Sequence, residues 1–145
     1  MLRDDYSKIG FIRGFLNAEA GLNKTITVQQ SVRINLSSDK IKELILGKTP
    51  YDMAGRECYF IPWSVAKKII PSNEIKYPNL LNGLNKLLSE FGIQSRVYPI
   101  RLYIGKKIGI HFELSISQKH LNKIKSFNML SCNKKVDKLN KILRG

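Results

Sequence analysis

The chain has little sulfur chemistry: of 145 residues, two are cysteines, Cys58 and Cys132. Two thiols cannot build a disulfide framework, which points to a reducing compartment. No apolar run approaches the roughly 20 residues that a membrane span requires, so no membrane partner is expected. The opening MLRDDYSKIG carries acids early and has neither an apolar stretch nor a small-residue cleavage site, so a secretory leader is not expected either. The expected setting is intracellular: cytoplasm or nucleoid in a prokaryote, or an organelle if the gene is organellar. No C-x-x-C or H-x₃-H spacing joins His111 and His120 to the cysteines, which argues against a zinc site. A phosphate-binding glycine loop and a nucleophilic-serine motif are also missing.

The scarcest feature is negative charge. Eleven acidic residues face 25 basic ones, a net charge of +14 and a pI near 9.9. The excess is uneven: from Gln94 onward, twelve Lys and Arg stand against Glu113 and Asp137, a net of +10. Such an imbalance destabilises a compact state by self-repulsion unless a polyanion relieves it, which favours nucleic acid as the partner. With 43% hydrophobic residues the chain lies far from the disordered corner of composition. Its length suits one domain, residues 1–145, with residues 48–78 read as an insertion.

Periodicity predicts a helix from about Asp5 or Ser7 to Ala18, with N-cap chemistry in Asp4, Asp5 and Ser7 and with Gly21 as its C-cap. Two alternating runs follow, Thr25–Gln29 and Ser31–Leu36, read as a hairpin that turns near Gln29 and Gln30. Ser37-Ser38-Asp39 caps a short helix that stops at Gly47. Residues 48–79 are broken by Pro62, Pro71 and Pro78 and read as a partly helical elaboration packed on the core, with Tyr59, Phe60 and Trp63 as packing residues. Asn79 to Phe91 is amphipathic and ends at Gly92. Gln94 to Ile104 reads as a strand, with Pro99 at a bulge or an edge. After a turn at Gly105-Lys106-Lys107, Ile108 to Ser117 alternates strictly as a second strand. Helices near 118–127 and 134–143 complete the order. The fold class expected is α+β, with one face of a four-stranded sheet covered and the other free.

The polar faces of these strands are the candidate reading surface. The first hairpin offers Thr25, Thr27, Gln29, Ser31, Arg33 and Asn35; the second offers Arg96, Tyr98, Arg101, Tyr103, His111, Glu113 and Ser115. Amides, hydroxyls and guanidinium groups are the chemistry that reads base edges in a major groove, which a two-stranded ribbon fits. In the first helix, Gly10, Gly14 and Ala18 recur every four residues as a stripe of nearly bare backbone. Each glycine costs about 1 kcal/mol in a helix interior, so the stripe calls for close approach of another helix, within the chain or across a dimer. Glu19, at the end of that stripe, opposes the helix dipole unless a cation is bound nearby; the plain alternative is a solvated helix-end acid.

Those residues also carry a resemblance. Ile12-Arg13-Gly14-Phe15-Leu16-Asn17-Ala18-Glu19-Ala20 resembles the LAGLIDADG motif of homing endonucleases. LLSEFGIQSRVY, FELSISQKHLNKIKSF and LSCNKKVDKL resemble later segments of that family, leaving out roughly residues 48–78. The resemblance implies an αββαββα domain with a saddle-shaped antiparallel sheet, whose motif helix packs against that of a second copy. It further implies a homodimer that cuts double-stranded DNA with Mg²⁺ (or Mn²⁺), the metal held by Glu19 and the Ala20 carbonyl. Lys135 matches the family's basic residue near the attacked phosphate, and Lys134 takes that part if the register slips by one. Asn17 stands where the family has an acid, and Ala20 where it has glycine. An inactive DNA- or RNA-binding protein of the same fold, with intron RNA as a partner, is the alternative reading. A third is one half of a longer two-motif protein.

Overall fold

A computed structural model describes residues 3–22 and 25–144. The helices are α1 (Arg3–Glu19), α2 (Ser38–Ile45), α3 (Trp63–Ala66), α4 (Asn79–Glu90), α5 (Leu121–Ser126) and α6 (Asn133–Arg144). The strands are β1 (Gly21–Leu22), β2 (Ile26–Arg33), β3 (Tyr51–Met53), β4 (Arg56–Pro62), β5 (Ser95–Ile104) and β6 (Ile108–Ile116). They form one sheet in the order β1-β2-β6-β5-β4-β3. The class is α+β, as expected. No described helix is long and apolar enough to cross a membrane.

The chain divides into two compact units. The first comprises residues 1–29, 79–97 and 113–145. Its core is built from helix faces: Ile9, Ile12 and Leu16 of α1 are buried at i, i+3 and i+7, and Leu81, Leu84 and Leu88 of α4 repeat the same spacing. Leu114 and Ile116 of β6, Leu121 and Ile124 of α5 and Leu139 of α6 complete it. Lys8 bridges Asp4 one turn earlier (3.1 Å) and Glu90 at the end of α4 (2.9 Å). Two helices here stop by the same device. After α4, Gly92 turns left-handed (φ 72°), and Ile93 N donates to Leu88 O while Gly92 N donates to Ser89 O. After α5, Asn128 (φ 55°) does the same with Met129 N to Ile124 O and its own N to Lys125 O.

The second unit comprises residues 30–78 and 98–112. The side chain of Ser37 accepts from Lys40 N at 3.3 Å and so caps α2, and Gly47 (φ 72°) follows its end. Residues 48–78 contain a β-hairpin as well as helical turns. Met53 faces Arg56 across a two-residue loop, and β4 then pairs antiparallel with β5, Phe60 opposite Tyr103 and Ile61 opposite Leu102. Cys58, Ile61, Ala66, Ile70, Leu102, Ile110 and Phe112 are buried.

Two local expectations are corrected. There is no hairpin at Gln29 and Gln30: β2 runs unbroken from Ile26 to Arg33, and β1 pairs antiparallel with it, Leu22 opposite Ile26. The reason is parity. Ile26, Val28, Val32 and Ile34 are all even and Thr27, Gln29, Ser31 and Arg33 all odd, so the two runs are one alternation with Gln30 at an inward position. Gly21 is no C-cap either, since its φ is not positive and it opens β1 opposite Thr27. The last carbonyls of α1 are satisfied differently, by a lysine.

Candidate metal-binding helix end and nucleic-acid interface

The C-terminal end of α1 is held by α6 and the segment before it. Lys135 Nζ donates to the carbonyl oxygens of Asn17 (2.6 Å) and Leu16 (3.2 Å). An ammonium group there answers the negative end of the helix dipole and caps its last carbonyls, sharing that of Leu16 with the amide of Ala20. The exchange is reciprocal. The Asn17 carboxamide oxygen accepts from the backbone amides of Ser131 (2.9 Å) and Cys132 (3.0 Å), which lead into α6, while its Nδ2 donates to Ser131 Oγ (2.8 Å). Arg13 Nε adds a bond to the Asn128 carbonyl at 2.6 Å. Asn17, which the motif comparison marks as a departure, is thus a structural clasp. Asn17→Ala should lower stability by about 1–2 kcal/mol, the range for losing a side-chain cap, whereas Asn17→Asp still accepts from both amides. Urea titration should show the Ala midpoint shifted and the slope unchanged; coincident curves for wild type and Asn17→Ala would remove the clasp from the account.

Glu19 follows directly. It is exposed and forms no ion pair with any described residue, while Ala20 beside it is buried. Among the described residues no group of three His, Cys, Asp or Glu converges on one point. The donors are nonetheless of the right kind: a carboxylate and the neighbouring main-chain carbonyl are hard oxygens. Two such oxygens would leave about four of the six positions of an octahedral Mg²⁺ to water, phosphate or a second copy.

The face of α1 opposite Ile9, Ile12 and Leu16 is bare. Gly10, Gly14 and Ala18 are all exposed, and a Cβ added at Gly10 or Gly14 would meet nothing within 4 Å. The close approach that the glycines call for is therefore not made among the described residues. Phe11 (49% exposed) lies on the same face and Tyr6 (64%) borders it.

On β2 the odd positions face solvent as expected: Gln29, Ser31 and Arg33 are exposed and Thr27 half-exposed, with Thr25 and Asn35 just beyond the strand ends. Gln29 Nε2 donates to Glu113 Oε1 at 3.2 Å, so that pair acts together. Of the second set, Arg101 and Tyr103 alternate with buried Leu102 and Ile104, whereas Arg96 and Tyr98 occupy even positions of the same strand and do not share that alternation. Lys134 is exposed beside Lys135.

Within the second unit the structure gathers rings that the sequence reading treated as packing residues or as isolated polar groups. Phe60 lies 5.4 Å from Tyr103 and 6.3 Å from His111, and Tyr103 and His111 are nearly parallel, 11° apart at 5.9 Å. Tyr51 meets Phe60 edge-on at 5.5 Å, and the Arg101 guanidinium sits 6.0 Å from the Phe60 ring centre. Burial, and then the charge of Arg101, hold the His111 pKa below its ordinary value. The half-buried Phe60 was not legible as part of this cluster because its neighbours are decided by the β4–β5 register, and Tyr103 opposite it is distant in sequence.

A model of the LAGLIDADG-like domain matches residues 7–127. No curated protein and no solved structure matches the chain. The match takes in α1 with its bare stripe and Glu19, all six strands, and the helices through α5. By that coverage, the chain belongs to the LAGLIDADG homing endonuclease family.

Proposed function

We propose that this chain is a site-specific double-stranded DNA endonuclease that works as a homodimer with Mg²⁺ or Mn²⁺. The observation that carries the reading is the bare face of α1 ending in an uncommitted carboxylate: Gly10 and Gly14 meet nothing, and Glu19 is exposed without an ion-pair partner among the described residues. Two such faces in contact bring two Glu19 carboxylates and two Ala20 carbonyls together. Those groups, with phosphate oxygens and water, would hold the metal. Bound there, a divalent ion supplies an activated water and neutralises the leaving oxygen of the phosphodiester.

The chain's own residues supply position and charge. Lys135, fixed by two carbonyls on the same helix end, contributes a cation where the phosphate must come. The odd face of β2, with Thr25, Thr27, Gln29, Ser31, Arg33 and Asn35, presents donors and acceptors to base edges, and the lysines of the C-terminal third hold phosphates without regard to sequence. A two-fold dimer then reads a pseudo-palindromic site.

The second reading is a DNA- or RNA-binding protein without cleavage, and the engagement of the Lys135 ammonium by helix carbonyls favours it. One experiment separates the two. Random duplex DNA is selected with Ca²⁺, which fits hard oxygen sites, and Mg²⁺ is then added to the selected pool. A two-fold-related site cut on both strands is the expected result. A selected site that stays intact means a binding protein, and failure to select any duplex removes DNA as the ligand.

A further inference from the structure

The rings on β4, β5 and β6 are the wrong chemistry for most of what a major groove displays. Base edges there offer donors, acceptors and one apolar group, the C5 methyl of thymine. The face of a phenyl or phenol ring pressed on O6, N7 or an exocyclic amine would strip water from a polar group and return no hydrogen bond, whereas the same face gains by burying a methyl. We propose that Phe60, Tyr103 and His111 form a wall that selects thymine by its C5 methyl group, which makes them specificity residues of the duplex-reading face; the inference rests on the DNA-binding function proposed above.

Three features make the wall a prepared surface. Phe60 stands directly opposite Tyr103 in the β4–β5 pairing. The Tyr103 ring lies against Gly105, where an added Cβ would meet two ring carbons at 2.7 and 3.0 Å, so any larger residue there would push the far end of the ring aside. The depressed basicity of His111 keeps its imidazole neutral at pH 7, so the wall carries no charge of its own. Rings already held in contact lose little freedom on binding. Arg101 completes the edge of the wall. It forms no ion pair among the described residues and its guanidinium sits over Phe60, the chemistry that pairs with guanine O6 and N7 beside the thymine. In a chain of net charge +14 the occupant is a polyanion, and in duplex DNA the base faces are covered by their neighbours, leaving edges and methyls to be read.

The test is a uracil scan of the selected duplex. Replacing thymine by deoxyuridine keeps the Watson–Crick pair and removes one methyl. Wild-type protein should lose about fourfold in affinity at each contacted thymine, the worth of one buried methyl, at one or two neighbouring positions in each half-site. Phe60→Leu and Tyr103→Leu should reduce that loss below about twofold at the same positions, the residue of a single poorly packed contact. A duplex bound tightly with no uracil-sensitive position overturns the wall while leaving the DNA-binding function standing, as does sensitivity that both variants retain. Tighter binding to an unpaired strand than to duplex, lost in the same variants, overturns it in favour of base stacking. Failure to bind any duplex removes both the wall and the function on which it rests.

Discussion

Glu19→Gln is expected to stop cleavage while leaving target binding nearly as it was. The substitution keeps the shape of the side chain and removes the charge that a divalent ion requires. A metal at the scissile phosphate is worth several kcal/mol in the transition state, and losing about 4 kcal/mol slows hydrolysis roughly a thousandfold. Binding should change by less than about threefold, because an exposed side chain with no partner contributes within about 0.5 kcal/mol. Stability should not fall: Glu19 is exposed, forms no ion pair among the described residues and sits at the helix end where a negative charge is unfavourable. Single-turnover cleavage of the selected site, paired with a Ca²⁺ binding measurement, separates the outcomes. Undiminished cleavage would move the metal away from Glu19. Parallel loss of binding and of thermal stability would make Glu19 a structural residue, against its exposure.

What local periodicity sets in this fold was legible in the sequence. Ile9, Ile12 and Leu16 mark the buried face of α1, and the glycines four residues apart mark the opposite one. The alternation of Ile110, Phe112, Leu114 and Ile116 fixes β6 without help from any partner. What stayed hidden depends on pairing between distant segments or on turn chemistry without its usual letters. The β3–β4 hairpin turns on Ala54 (φ 54°) and Gly55 (φ 78°), both left-handed, where the recognisable signal is Asn-Gly. Alanine in that region is unfavourable by roughly 1–2 kcal/mol, so propensity argues against a turn that the sheet nonetheless imposes. The clasp of Asn17 on Ser131 and Cys132 spans more than a hundred residues, and comparison with the family motif reads that asparagine as a lost acid. The rings of Phe60, Tyr103 and His111 come from three strands, and nothing in any one of them announces the other two.

Gly14→Leu should separate assembly from folding, because the two effects have opposite signs. In the monomer a Cβ at this position meets nothing within 4 Å, and the substitution replaces a glycine in an exposed helix face, which stabilises α1 by about 0.5–1 kcal/mol. In a two-fold dimer through that face the same side chain is inserted twice at the closest approach. Overpacking costs about 1–3 kcal/mol at each copy, so a total near 4 kcal/mol weakens dimerisation roughly a thousandfold. The expected variant is a monomer with a raised melting temperature and no double-strand cleavage, set against a wild-type dimer in sedimentation at micromolar concentration. A destabilised variant would mean that the face packs within its own chain. A variant that still sediments as an active dimer would place the interface elsewhere and overturn the proposed pairing of two Glu19 carboxylates at a metal.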